Sequence, residues 1–240
     1  MPRRLPIAYR FTKAFTNALP SVLLQGVIPL FRLGTPVRNL FGLHLLKAAD
    51  RRIRQLKRTH RCAVHGQKVW RSASVLLDYL QEYPLEKGLR VLELGAGWGL
   101  AGIYCAQRFD AAVTALDLDP AVFPYLQLHA ELNGVSITPW VCDYSALDES
   151  HLHGFDMVIA SDICFWDQQT QPMLQLINTL QRLNIRTLIA DPGRRPFIQV
   201  IETLLAQPAG QTLAVENWSV PHPYNVHGVI LDTGAPYVEL

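Results

Sequence analysis

Val91-Leu92-Glu93-Leu94-Gly95-Ala96-Gly97-Trp98-Gly99-Leu100-Ala101-Gly102 is the stretch that decides the fold. Its aliphatic start reads as a short buried strand, followed by a glycine-dense turn and the first turns of a helix. Such a succession makes a ligand site, because glycine lets the backbone approach closely and a helix N-terminus offers free N–H groups. An adenosine-type ligand fits glycines at 95, 97 and 99. A dinucleotide fingerprint would want its third glycine at 100, where Leu100 stands. Glu93, two places before the first glycine, would repel a diphosphate and attract a cationic amino-acid group. The balance favours S-adenosylmethionine over NAD.

Outward from this stretch, strands and helices alternate. Gly66 to Ala73 leads into a helix carrying Val75, Leu76, Tyr79 and Leu80. The spacing predicts a helix from Trp98 to Phe109, then a second strand over 111–116 ending at Asp117. Asp119 caps the next helix with Pro120 at its first position. A third strand over 137–142 ends at Asp143, and a fourth over 155–160 ends at Ser161-Asp162. A fifth over 187–190 ends at Asp191, after a helix marked by Met173, Leu174, Ile177 and Leu180. A last helix carries Phe197, Val200, Ile201 and Leu204. Two closing strands, 213–218 and 226–231, have no helix between them. This pattern predicts an α/β fold with a doubly wound, mostly parallel seven-stranded sheet and a C-terminal antiparallel hairpin.

In open α/β sheets, ligands bind beyond the carboxyl ends of the strands. Glu93, Asp117, Asp143, Ser161, Asp162 and Asp191 all fall there. Asp117 suits a ribose, whose two hydroxyls a carboxylate accepts in bidentate fashion. Asp143 suits an adenine amino group, and Glu93 the cationic amino-acid end.

This arrangement resembles the class I, seven-β-strand S-adenosylmethionine-dependent methyltransferases over roughly residues 66–240, and more narrowly their protein-lysine methyltransferase group. Gly66-Gln67-Lys68-Val69-Trp70, Glu93-Leu94-Gly95-Ala96-Gly97 and Ser161-Asp162-Ile163-Cys164-Phe165 carry the likeness. The last is similar to an Asp-x-x-Tyr signature, with Phe165 where the group has Tyr. Asp191-Pro192-Gly193-Arg194 is similar to the members that methylate the β-subunit of electron-transfer flavoprotein. The resemblance implies a Rossmann-like methyltransferase fold that transfers a methyl group from S-adenosylmethionine to a protein lysine. It implies cofactor binding by Trp70, Glu93, Gly95, Ala96, Gly97, Gly99, Asp117, Asp143 and Ser161. It implies catalysis by Asp162, Phe165 and Trp166. Asp162 would accept a hydrogen bond from the acceptor amine, and the two aromatics would wall its channel.

The N-terminal quarter has a different character. Residues 1–61 hold 13 Lys/Arg against the single acid Asp50, although the 240-residue chain carries only +2 overall. Phe11, Ala14, Phe15, Ala18 and Leu19 share one helical face, and an apolar patch runs from Val22 to Phe31. Leu45, Ala49, Ile53 and Leu56 recur at helical spacing amid arginines and lysines. We therefore divide the chain into a basic helical extension, 1–61, and an S-adenosylmethionine-binding domain, 62–240. The extension suits packing against that domain, docking of an acidic partner, RNA or an anionic membrane surface, or service as an organelle presequence.

No apolar run reaches the roughly 18 residues of a membrane span. The four cysteines have no metal-ligand spacing and read as reduced thiols of a cytoplasmic protein. The mitochondrial matrix, or a peripheral membrane location through the N-terminal segment, is the alternative. An RNA or small-molecule acceptor is the rival to protein lysine, and a non-catalytic scaffold ranks last. Against amino-methylation of nucleic acid, the residues after the fourth strand lack an Asn-Pro-Pro-Tyr-type tetrapeptide.

Overall fold

Strand β3 (Arg90–Leu94) is buried on both faces from Val91 to Leu94 because it lies inside a sheet covered on both sides. In the computed structural model, which describes residues 37–62, 66, 68–207 and 213–234, it pairs in parallel with β4 (Ala112–Asp117) and β6 (Met157–Ser161). Next to β4 lies β5 (Thr138–Val141), and next to β6 lies β7 (Arg186–Asp191), both parallel. Antiparallel β8 (Ala214–Val220) and β9 (Val226–Asp232) complete the order β5-β4-β3-β6-β7-β9-β8. The seven-stranded sheet and its closing hairpin are those the sequence predicts.

Alternate strand residues divide between the two layers, as a period of two requires. Val91, Met157, Ile159, Leu188 and Ile230 pack with α2 (Ser72–Glu82) and α3 (Leu100–Phe109). Leu92, Leu94, Val158, Ala160 and Ile189 pack with α6 (Thr170–Arg182) and α7 (Arg195–Leu205). Helix α4 (Phe123–Leu132) follows a 3-10 turn, Pro120–Val122, whose Asp119 cap accepts from the Ala121 N–H. Between β5 and β6 the chain makes a further 3-10 turn, Tyr144–Ala146, and the short helix α5 (Glu149–Leu152).

Ahead of the sheet, the structure departs from the expected helical extension. Val37–Leu40 (β1) and Leu43–Leu46 (β2) form an antiparallel hairpin. Its turn, Phe41-Gly42, has φ of 53° and 87°, the pair of positive values that matches strand twist. Leu45 therefore belongs to a strand, and helix α1 begins only at Arg51 (Arg51–Thr59), with Asp50 as its cap. Leu43, Leu45, Leu46 and Ile53 are buried in the same core as the sheet's helices. The compact unit Thr35–Leu240 thus runs through the boundary expected at 61–62. The helical face expected at Phe11 to Leu19, and the patch from Val22 to Phe31, lie outside the described residues.

The hairpin is fastened to α4 by polar contacts. Asn133 Oδ1 accepts from the His44 N–H at 2.8 Å, and its Nδ2 donates to the His44 carbonyl at 2.9 Å. His129 is fully buried, its Nε2 3.2 Å from the Leu46 N–H and its Nδ1 2.7 Å from the Tyr125 carbonyl. Nε2 must then accept and Nδ1 donate, a neutral ring, and burial holds its pKa below the ordinary histidine value.

Sheet order reverses between β3 and β6. That switch point, at the carboxyl ends of the strands, is where this architecture leaves a crevice.

Candidate functional site

The glycine turn at the end of β3 is built from two kinds of glycine. A Cβ at Gly95 would lie 2.6 Å from Ile163 Cγ2, so the close approach of the next strand's loop requires its absence. At Gly97 (φ 54°) a Cβ would meet nothing within 4 Å among the described residues. The backbone here faces open space, the cradle an incoming ligand needs. Ala96 donates its N–H to Leu116 and Gly97 donates to Asp117 Oδ2 at 2.9 Å, which ties the turn to β4. Trp98 points away from the crevice. Its Nε1–H donates to the Gly66 carbonyl, and its ring stacks on Tyr125 and His129. Gly99 closes on Leu126 and leads into α3.

Glu93 does not stand in the crevice, contrary to the role expected for it. Val91 and Glu93 share the face of β3 that lies under α3, so Glu93 is only 4% exposed and its carboxyl points at Gly102. Burial pushes its pKa up to about 8, against the opposing pull of the Gly102 and Ala101 N–H groups. Among the described residues its Oε2 has no hydrogen-bond partner. A group buried there cannot contact the cationic end of a ligand; it sits behind the glycine turn.

Asp117 occupies the position expected of it. Oδ2 accepts from Gly97 and Oδ1 from the Asp119 N–H, both at 2.9 Å, leaving lone pairs on each oxygen for further donors. Burial raises its pKa, while those N–H groups oppose the shift. Leu118, beside it, is 61% exposed and offers apolar surface at the same strand end, which the sequence reading overlooked. Asp143, exposed beyond β5, accepts from the Ser145 N–H. Gly95, Ala96, Gly97, Asp117, Leu118 and Asp143 therefore line the ends of three adjacent strands. Open backbone, a carboxylate with spare acceptors and an exposed aliphatic side chain fit the groups of an adenosine-type cofactor.

The other half of the crevice centres on Asp162, at the end of β6 after half-exposed Ser161. It is buried, with φ 56°. Oδ2 accepts from the Ser72 N–H at the start of α2 (2.9 Å), and Oδ1 accepts from Arg194 Nη2 (2.7 Å). Arg194 also donates through Nη1 to Asp191 Oδ2 at 2.8 Å. One guanidinium thus joins two buried carboxylates from β6 and β7. Burial raises the Asp191 pKa, and Arg194 opposes that rise. Each Asp162 oxygen accepts one hydrogen bond within the protein and the residue is buried, so a direct amine contact of the kind expected would have to reach a carboxylate already held by Ser72 and Arg194. Arg194, 32 residues away in sequence, gives no local signal of this pairing; only its place in Asp191-Pro192-Gly193-Arg194 pointed to it.

Aromatic rings flank this cluster. Trp70 meets Phe165 edge-on with centroids 5.2 Å apart, and Phe165 lies 5.7 Å from Trp166. The Arg194 guanidinium is 4.1 Å from the Phe165 centroid, and Lys68 Nζ is 4.1 Å from that of Trp70. Trp166 is 48% exposed, and Gln169 Oε1 accepts from the N–H groups of both Phe165 and Trp166. The site residues expected from sequence thus fall in two groups. Gly95, Ala96, Gly97, Asp117 and Asp143 line β3 to β5; Trp70, Ser161, Asp162, Phe165 and Trp166 gather at β6 and the start of α2. Glu93 and Gly99 serve the packing of the turn.

Residues 50–198 match the lysine methyltransferase family. Among curated proteins, the chain is 28% identical over 130 residues to the electron transfer flavoprotein beta subunit lysine methyltransferase of Danio rerio. That match covers 53% of this chain and 50% of the relative. It is 37% identical over 119 residues to EEF1A lysine methyltransferase 3 of Xenopus tropicalis, covering 48% of this chain and 51% of the relative. The chain spans about half the length of the curated relatives it matches. Among solved structures, a Pyrococcus abyssi tRNA (uracil-54, C5)-methyltransferase superposes with a TM-score of 0.54 over 82% of this chain and 42% of that one. At 16% identity it shows a shared fold.

Proposed function

The chain belongs to the lysine methyltransferase family, and from that premise we propose that it methylates a lysine side chain of a protein, with S-adenosylmethionine as methyl donor. The observation that carries this reading is the pairing of the open Gly97 turn beside Asp117 with an aromatic wall at the end of the neighbouring strand β6. Bound S-adenosylmethionine supplies an electrophilic methyl group on a sulfonium. Gly95, Ala96 and Gly97 would hold it through backbone, Asp117 through its ribose hydroxyls, and Asp143 and Leu118 at the adenine.

The protein's own contribution concerns the acceptor. A lysine ammonium has no lone pair and must lose a proton before it can attack. Phe165 and Trp166 exclude water from its side chain, which disfavours the charged form and lowers the amine pKa. In this reading Asp162 is a positioning residue. It fixes the start of α2, and hence Trp70, through Ser72, and it fixes Arg194 against Phe165.

Helix α1 supports the protein as the acceptor's carrier. Arg51, Arg54, Lys57 and Arg58 are exposed on it, and no acid lies within the helix. Such a face suits an acidic protein surface. It also suits RNA, the second reading. A cytoplasmic location remains part of the proposal, supported by four free cysteines, and cell fractionation tests it. Incubation with labelled S-adenosylmethionine and a cell extract tests the activity. Label in protease-sensitive, nuclease-resistant material is the expected result. Label in nuclease-sensitive material would favour RNA.

A further inference from the structure

The loop that carries Phe165 and Trp166 is closed by one side chain. Gln169 Oε1 accepts from the Phe165 N–H at 2.6 Å and from the Trp166 N–H at 3.1 Å, while the Gln169 N–H donates to the Trp166 carbonyl at 2.9 Å. An amide oxygen has two lone pairs, so this one is filled, and the side chain keeps only its NH2 group for a further partner. Tyr144 is that partner. Burial pushes the Tyr144 pKa up, and a hydrogen bond with the Gln169 side chain opposes the rise.

Tyr144 belongs to the other half of the crevice. It follows Asp143, whose carboxylate caps the 3-10 turn Tyr144–Ala146 by accepting from the Ser145 N–H at 2.9 Å. Its ring packs on the same core cluster as Cys164, the residue just before Phe165. One amide therefore stands between the turn that suits the adenine and the two rings that suit the acceptor. In that arrangement Gln169 touches neither ligand.

We propose that Gln169 is a positioning residue that couples the two halves. A donor seated on the Asp143–Tyr144 turn fixes the Tyr144 hydroxyl, and Gln169 carries that order to the backbone of Phe165 and Trp166. The aromatic wall is then firmest when the donor is already in place. This rests on the proposed methyl transfer to lysine, which gives the wall its acceptor. By reciprocity, an acceptor held by the wall strengthens donor binding by the same factor. A single hydrogen bond carries the link, so that factor is about 2- to 10-fold.

Acrylamide quenching of tryptophan emission in the full chain, with and without saturating S-adenosylhomocysteine, tests the link without any acceptor. The chain has five tryptophans, and subtracting the W166F counterpart of each protein isolates Trp166, which is 48% exposed. The expected result is that S-adenosylhomocysteine lowers the quenching of Trp166 in the wild type. Q169L should lose that protection, and its Trp166 should be quenched more readily even without ligand. Q169E should retain it, because a carboxylate accepts from the same two N–H groups and the Tyr144 hydroxyl can donate to it. Y144F leaves the loop closed and removes only the link, so it should keep the ligand-free quenching of the wild type and lose the protection. With a protein acceptor and saturating donor, Y144F should raise KM by about 2- to 10-fold and alter kcat less. Protection absent from the wild type, or complete in Y144F, would overturn the coupling; Y144F differs by one oxygen and decides alone should Q169L fold poorly. Methyl label on protein without donor-dependent protection would sink the coupling and leave the proposed function standing. Protection that Y144F abolishes, with no methyl label on any protein, would do the reverse.

Discussion

Glu93 makes the stability of the fold depend on pH in an unusual direction. Its pKa lies near 4.5 when exposed and is about 8 in the folded protein. Between those values the folded state keeps a proton that the unfolded chain releases, so stability falls as pH rises from about 4.5 to about 8 and then levels. Glu93→Gln should flatten this slope, gaining on the wild type more at pH 8 than at pH 5 in urea denaturation. His129 acts on the other side: its lowered pKa makes stability fall as pH drops below the ordinary histidine value. At Arg194, Arg194→Met strands Asp162 and Asp191 as buried carboxylates and should cost about 3 kcal/mol, read from the same denaturation curves. The importance of the strand-end acids was legible in the sequence. Their partners were not, because Arg194 and Ser72 reach Asp162 from 32 and 90 residues away. Glu93 was misread for a related reason. A carboxylate next to a glycine turn looks like a ligand group until the alternation along β3 sends it under α3.

At the scale of elements, helices and strands after Gly66 followed their hydrophobic periods, and the cap Asp119-Pro120 was visible as such. The β1–β2 hairpin escaped because Leu45, Ala49, Ile53 and Leu56 also satisfy a helical spacing. Pairing with Val37–Leu40 and the contacts to Asn133 and His129 settle Leu45 as strand, and neither is local in sequence. Helix α1 behaves differently again: it buries Ile53 and leaves its charged residues in solvent. Reversing three of them, R54E/K57E/R58E, should leave thermal stability nearly unchanged, since exposed charges contribute little. The same change should raise the KM for an acidic protein acceptor, and added salt should raise the wild type's KM toward that of the variant. Equal KM values at low salt would remove α1 from acceptor docking.

Across the whole molecule, two halves of a crevice meet where the sheet order reverses between β3 and β6. The half on β3 to β5 suits the donor, and the half on β6 and α2 suits the acceptor. Donor binding should therefore be separable from acceptor chemistry. S-adenosylhomocysteine at a hundredfold its Kd should stabilise the protein by about 2.7 kcal/mol. Gly97→Ala should abolish most of that gain, because its Cβ enters the open cradle at a positive φ. Arg194→Lys should keep it, since that residue touches only the other half. For the proposed donor half the sequence named Gly95, Ala96, Gly97, Asp117 and Asp143, missed Leu118 and wrongly counted Glu93. In the acceptor half the sequence supplied the residues but not the ion-pair network that links them.

The contact between Glu93 and Gly102 has a consequence for how such proteins can vary. Glu93 Oε2 lies 2.5 Å from where a Cβ at position 102 would stand. A methyl group on the helix and a glutamate on the strand cannot coexist without one giving way. The two positions should therefore change together across related sequences, with alanine at 102 accompanied by a shorter side chain at 93, and an alignment of relatives will show whether that covariation exists.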